Sequence, residues 1–273
     1  MLDKPALEYR TIVNDSNDPG YVNRLMVGTA VTGLVRIEWL QARTGQVIPV
    51  NWSWVQMYEY MNGYMPYRYQ VDDAQNLIVK YAIEKDFQWL LLYEHDNVPL
   101  PDALIRLNEY MTTAKAPVVS GLYYTRSEPS EPLIFRGRGT GAFTNWEMGD
   151  RVYADGVPTG FLLIHVGVLR AMWDESEPYT LRGQDTRRVF ETPRKNWYDP
   201  ETMAWNTQSG TSDLEWCSRV IKGDYLRKAG WGEYVDALPD PRYPFIVDTN
   251  IFSWHINPDG NRFPAQMPVR KSK

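Results

Sequence analysis

The chain has 273 residues, 43% of them hydrophobic and 23% charged, a balance that excludes bulk disorder and suits one α/β unit with a sizeable core. Its formal net charge of −5 argues against a nucleic-acid partner, because phosphate neutralisation needs clustered lysine and arginine. The single cysteine, Cys217, excludes an internal disulfide and fits a reducing compartment, so a cytoplasmic location is expected.

Residues 1–20 carry acids and a Pro-Gly but no apolar core, so no signal peptide is expected. The longest greasy run, Phe161 to Trp173, is interrupted by His165 and Arg170 and is too short to span a bilayer. The 11 Trp and 18 Tyr supply either a core of large side chains or flat rings that stack on sugars.

Arg24 to Val31 (RLMVGTAV) reads as a buried first strand ending in a small-residue turn. From Gly33 to Arg43, Leu34, Ile37 and Leu40 have helical spacing, and Gln46 to Val50 fits a second strand. Val71, Ala74, Leu77, Ile78, Tyr81 and Ala82 mark one face of a helix that ends near Lys85. Gln88 to Tyr93 (QWLLLY) then has the continuous apolar character of a central parallel strand. Pro101 opens a helix with Leu104, Leu107 and Met111 on one side.

Pro117 to Tyr124 and Gly160 to His165 are the next strands, separated by a polar, Gly-rich loop from Thr125 to Asp150. A second loop is expected from Glu175 to Gly210. Ser212 begins a helix with Leu214, Cys217, Val220 and Ile221 inward and Gly230 as its C′ residue. Phe245 to His255 reads as late strands, followed by a basic tail at Arg270 to Lys273. Alternating strands and helices in the first half predict a βαβ sheet with ligands at the strand C-termini.

The most informative local pattern is Glu94-His95-Asp96, directly after QWLLLY. Extended backbone would place Glu94 and Asp96 on one side and His95 on the other. Two carboxylates at a strand's end can seat a divalent cation that grips phosphate oxygens. The competing reading is a solvated turn, shaped by Asn97 and Pro99.

The order of motifs resembles the GT-A glycosyltransferases, especially the group that includes the inverting family-2 enzymes. Val27-Gly28-Thr29-Ala30-Val31 is similar to the nucleotide-holding turn, and Ala74-Gln75-Asn76 to an Ala-Arg-Asn-like segment. Glu94-His95-Asp96 stands where that group has Asp-x-Asp, and Val118 to Tyr124 resembles its next strand. Val157 to Ile164 is similar to the Gly-x-Gly-x-x-Leu-Ile segment on the acceptor side. Thr211 to Cys217 resembles the Glu-Asp-x-x-Phe-Cys segment that supplies the base, and Trp254-His255-Ile256 the terminal metal-binding histidine. Three departures stand out: Glu94 for Asp, Gln75 for Arg and Ser212 for Glu.

The resemblance implies a GT-A, Rossmann-like fold with a mixed, mainly parallel sheet flanked by helices. It divides a single catalytic domain, 1–273, into a nucleotide-sugar half at 20–125, an acceptor half at 126–260 and a basic tail at 261–273. It implies metal-dependent transfer from a UDP- or GDP-sugar to a glycan or other hydroxyl acceptor, with inversion. The cofactor is a divalent cation, Mn2+ or Mg2+, held by Asp96 and His255 with Glu94 as a third candidate. Donor contacts fall on Thr29, Ala30, Val31, Asp73, Asn76, Glu94, His95, Asp96 and Gly160. Asp213 is the implied catalytic base.

Simpler explanations compete at several positions. Ser212-x-x-Glu215 fits a capping box, and acids at a helix N-terminus are favourable by themselves. Asp73 is also an early-helix acid, and Arg126 and Arg136 are either pyrophosphate partners or surface arginines. A lone histidine such as His255 is more often structural than a ligand, and His165 carries no assigned role. Two other functions compete with this one. A nucleotidyltransferase making a sugar nucleotide would want a basic triphosphate loop after the first strand, whereas no basic residue occurs between Gly28 and Arg36. A non-catalytic carbohydrate-binding module would show an all-β pattern.

Overall fold

The computed structural model describes residues 24–137 and 141–268, without the side chains at 207–209; the first twenty residues and the Arg270 to Lys273 tail lie outside it. The chain opens with β1 (Leu25–Gly28), α1 (Ile37–Thr44), α2 (Trp54–Met61) and α3 (Val71–Glu84). It continues through β2 (Trp89–Tyr93), β3 (Asn97–Pro99), α4 (Ala103–Thr113), β4 (Val118–Leu122), β5 (Arg151–Ala154), β6 (Phe161–His165) and α5 (Val166–Glu175). Then come β7 (Pro178–Leu181), β8 (Gln184–Arg187), β9 (Arg194–Asp199) and β10 (Ala204–Ser209). The last elements are α6 (Ser212–Lys222), α7 (Tyr225–Lys228), α8 (Gly232–Asp236), β11 (Phe245–Ile256) and β12 (Arg262–Phe263).

Strand β2 is apolar at every position because both of its faces are covered. Leu90 and Leu92 pack on one side with Ile78 and Val79 of α3, Leu169 of α5 and Trp216 of α6. Trp89, Leu91 and Tyr93 pack on the other with Trp39 of α1 and Leu104 and Leu107 of α4. Removing each such leucine from water stabilises the fold by roughly 1.5–3 kcal/mol.

Eight strands form one sheet in the order β1-β2-β6-β4-β11-β12, with β3 and β5 also paired to β11. Strands β1, β2, β4 and β11 run the same way, and β6 lies antiparallel between β2 and β4. The amide of Glu94, just past β2, bonds Gly160 O at 2.8 Å, so the chain enters β6 where β2 leaves the sheet. The class is therefore α/β, with a mixed sheet whose core is mainly co-directional and helices on both faces.

Several local expectations need correction. Gln46 to Val50 is irregular: Gln46 Nε2 donates to the Ala42 and Leu100 carbonyls at 3.0 Å each, and Gln46 Oε1 accepts from Leu104 N at 3.1 Å. Helix α2 follows instead, started by a capping box in which Ser53 and Gln56 bond each other's backbone N–H. The stretch from Glu175 to Gly210 holds two hairpins, β7–β8 and β9–β10. The first turns through Arg182 and Gly183, both at positive φ (49° and 80°), as a two-residue primed turn requires. Helix α6 stops at Lys222, and Gly230 lies beyond the shorter α7. Phe245 to Ile256 is one strand with a register shift between Asp248 and Phe252. Among the described residues no helix is long and apolar enough to cross a membrane.

His165 acquires a structural role as the N-cap of α5. Its Nδ1 accepts from Gly167 N at 3.2 Å and from Trp231 Nε1 at 3.3 Å, which fixes a lone pair on that nitrogen. Burial lowers its pKa from 6.5 to about 4. The folded protein thus binds fewer protons than the unfolded chain between these values, and stability falls as pH drops from about 6.5 to about 4. Urea unfolding at pH 7 and pH 5 is expected to show this loss, up to the order of 3 kcal/mol at full extent. His165→Asn keeps an N-cap acceptor and is expected to remove that pH dependence.

Candidate active site

Glu94, His95 and Asp96 lie in a turn closed by Asn97 N donating to Glu94 O at 3.1 Å. The alternation expected of extended backbone is therefore lost, and all three side chains line one cavity of about 340 Å³ with Ala30, Val31 and Tyr69. A second cavity of about 520 Å³, walled by Leu34, Val35 and Ile37, shares Thr32, His95, Asp96 and Arg126 with the first. The two meet at Asp96.

Beyond the turn the chain returns as β3, antiparallel to β11, with His255 opposite Asn97 and Trp254 opposite Val98. Ile256 N also bonds Asp96 O at 2.8 Å. This register brings His255 Nε2 to 3.3 Å from Asp96 Oδ2 across 159 positions of sequence. His255 Nδ1 donates to Tyr124 O at 2.8 Å, because a carbonyl can only accept. Nε2 thus faces the Asp96 carboxylate, and Arg126 donates to the same Oδ2 at 2.9 Å. Burial works to raise the Asp96 pKa, but the His255 hydrogen bond and the charges of His255 and Arg126 outweigh it and hold it below the usual range.

Glu94 behaves oppositely. Burial first, then the charges of Asp96 and Asp213, push its pKa up to about 8. Its Oε1 accepts from Thr159 Oγ1 at 3.2 Å. Thr159 Oγ1 accepts from Gln75 Nε2 at 3.1 Å, and Gln75 Oε1 accepts from Ser212 Oγ at 3.0 Å. A directed chain of hydrogen bonds therefore runs Ser212, Gln75, Thr159, Glu94. It contains all three positions at which the motifs depart from the family pattern.

Asp213 follows Ser212 in the first turn of α6, accepts Leu214 N at 2.8 Å, and is raised in pKa by burial. The capping box expected here is not formed: Thr211 is the N-cap without a side-chain capping bond, its side chain bonding Asp213 instead, and Ser212 is turned toward Gln75. Gly160 lies beneath the Glu94 turn, its N–H donating to Tyr123 Oη at 2.6 Å; a Cβ there would come within 2.4 Å of that oxygen.

Several expected donor contacts lie elsewhere. Ala30 and Val31 are on the cavity wall, but the Thr29 side chain is fully buried with its hydroxyl unpaired. Asn76 is 1% exposed and clamps Phe190, accepting from its N–H at 2.8 Å and donating to its C=O at 2.9 Å. Asp73 accepts from Tyr179 Oη at 2.8 Å, which pins β7 to α3. His95, expected to point away, donates from Nδ1 to Ala30 O at 3.2 Å and ties the two cavity walls together. Arg136 stacks on Tyr243, while Arg126 joins the site. Tyr69 and Thr159 were not anticipated: an isolated tyrosine and a threonine before a strand carry no pattern.

A metal fits this site only in part. Among the described residues no group of three or more His, Cys, Asp or Glu side chains is arranged to hold one, so Glu94 does not join Asp96 and His255 in such a cluster. The carboxylate and the facing imidazole nitrogen nevertheless form a two-ligand edge suited to Mn2+ or Mg2+ once a diphosphate supplies further oxygens.

No family model and no curated protein matches the sequence. Among solved structures, A197 from STIV has the same overall fold, with a TM-score of 0.52 at 12% identity over 92% of this chain and 95% of that one. A Bacillus anthracis protein assigned as a glucose-1-phosphate thymidylyltransferase, solved with sucrose, matches at a TM-score of 0.28 and 12% identity, over 54% of this chain and 74% of that one. The first similarity establishes the fold; the second is too low to carry weight.

Thr159→Val keeps the shape of the side chain but leaves Gln75 Nε2 and Glu94 Oε1 without their partner. It is expected to lower stability by about 2–4 kcal/mol, one to two unmet buried polar groups, in chemical denaturation. Thr159→Ser, which retains the hydroxyl, is expected to recover most of that loss.

Proposed function

We propose that this protein is a metal-dependent glycosyltransferase that moves a sugar from a nucleotide-sugar donor to a hydroxyl acceptor with inversion. The observation that carries the reading is the convergence of Asp96 and His255 at the C-terminal end of β2, beside Arg126 and between two cavities. In open α/β sheets ligands bind at that end of the strands. A glycan is the acceptor class that the family resemblance favours.

Asp96 and His255 would hold the divalent cation, which when bound supplies Lewis-acid relief of the charge developing on the departing diphosphate. Arg126, already hydrogen-bonded to Asp96, can turn its remaining donors to diphosphate oxygens. Ala30, Val31 and Tyr69 wall the space for the nucleoside, with the Tyr69 ring held by Arg182 at 4.3 Å from its centroid. Burial and the neighbouring acids raise the Glu94 pKa, so this carboxyl holds a proton more readily than Asp96 and is suited to hydrogen bonding with the donor. Asp213 takes the proton from the acceptor hydroxyl as that oxygen bonds to the anomeric carbon. Burial makes its carboxylate more basic and hence a better proton acceptor.

The nucleotidyltransferase alternative gains nothing from the geometry. Arg36, the first basic residue after the β1 turn, donates to the carbonyls of Asn257 and Pro258 at 2.8 and 2.7 Å and is not turned toward a triphosphate.

Screening nucleotide sugars for manganese-dependent release of nucleoside diphosphate tests the activity directly. In calorimetry, nucleoside diphosphate binding is expected to vanish in chelator and in Asp96→Ala. Binding that persists unchanged in chelator would remove the metal from the mechanism.

Asp213→Asn keeps the acceptor for Leu214 N, so folding and donor binding are expected to survive. Turnover should fall by about a hundredfold or more, the usual scale for a general base. Normal turnover in this variant, or a product that retains the donor's anomeric configuration by NMR, would reassign Asp213 to holding the acceptor.

A further inference from the structure

Helix α2 buries Tyr60 in the core but turns most of its other apolar side chains outward. Its polar residues face inward: Gln56 is buried, and Glu59, with its side chain 10% exposed, pairs with Arg24 at 2.6 Å. Its outer face carries Trp54, Val55, Tyr58 and Met61 at i, i+1, i+4 and i+7, a single helical stripe. Trp54 is 82% and Tyr58 66% exposed. These four, with Met57 and Asn62, surround a shallow depression of about 480 Å³. None of the six lines the cavities at Asp96.

The surroundings of this face are short of charge. From Thr44 to Tyr67 the sequence contains one charged residue, Glu59, whose charge Arg24 neutralises. Trp, Tyr and Met are the side chains enriched at protein–protein interfaces, where Lys, Glu and Asp are depleted. A face that binds anionic lipid would instead surround its apolar stripe with Lys and Arg. An isologous contact sets the same patch against itself, so any unpaired charge would meet its like across the two-fold axis. Among the described residues, those that line this patch carry no charge, although the chain as a whole has a net charge of −5 that repels another copy elsewhere. Protruding Trp54 and the depression beside it also provide a projection and a recess on one surface.

We infer that the outer face of α2 is a self-association surface that pairs two copies of this chain, with Trp54 and Tyr58 as its anchors. The contact is isologous and leaves the Asp96 cleft open, and it does not depend on the transferase reading.

Sedimentation velocity of the full chain across the micromolar range, together with Trp54→Glu and Tyr58→Lys, tests this. Both positions are exposed, and an acid at the start of a helix is favourable, so folding, checked by circular dichroism, is expected to persist. The wild type should shift from monomer to dimer with concentration. Each variant should weaken association by about thirtyfold or more, the scale of a central aromatic anchor. A wild type that stays monomeric, or a dimer that both variants leave intact, overturns the proposal. So does Trp54-dependent flotation of the monomer with phosphatidylcholine vesicles, which would make a bilayer the occupant of the face.

Discussion

Strand β11 is the constraint on which the candidate site depends. It begins in the core, parallel to β4 and antiparallel to β5, and after its register shift continues as the partner of β3 and then β12. Its first half is held by burial of Phe245 and Val247. Its second half delivers His255 beside Asp96, with the distance set by backbone pairing rather than by flexible side chains. Two groups far apart in sequence thus meet because one strand serves both the core and the cleft.

The alignment of charges follows from the same placement. Asp96 lies beside an imidazole and a guanidinium, and its carboxylate is favoured in the ionised form. Glu94, two residues earlier, faces Thr159 and two acids, and its pKa is pushed up to about 8. Neighbouring carboxyls are pushed apart in proton affinity by their surroundings, Asp96 downward and Glu94 upward. The division comes from their partners, Thr159 for Glu94 and His255 with Arg126 for Asp96, although both side chains line one cavity.

Those parts of the fold were legible in sequence where local pattern and burial agree. QWLLLY is apolar throughout because helices cover both faces, and α3 and α4 show their inward stripes plainly. The direction of β6 was hidden, since a strand buried on both faces reads alike either way up. Helix α2 was missed because most of its apolar residues other than Tyr60 point outward and its charge inward; only Ser53 and Gln56 marked its start. The hairpins between Pro178 and Ser209 were hidden by polar, largely exposed strands. At the site, Asp96 and His255 were legible from motif order, and their meeting required the β3–β11 register. Asn76 and Asp73 were drawn toward the ligand by motif position, whereas their hydrogen bonds hold the 179–190 segment onto α3.

The chain of hydrogen bonds from Ser212 to Glu94 also has a polarity. Each hydroxyl or amide in it gives its hydrogen toward Glu94 and none returns, so the lone pair of Oε1 is already engaged by Thr159. Oε1 is thus the oxygen of Glu94 that the chain holds in place, and Oε2 is left outside it. Gln75 and Ser212, neutral side chains on two different helices, thereby set the orientation of a carboxyl at the end of a strand to which neither belongs.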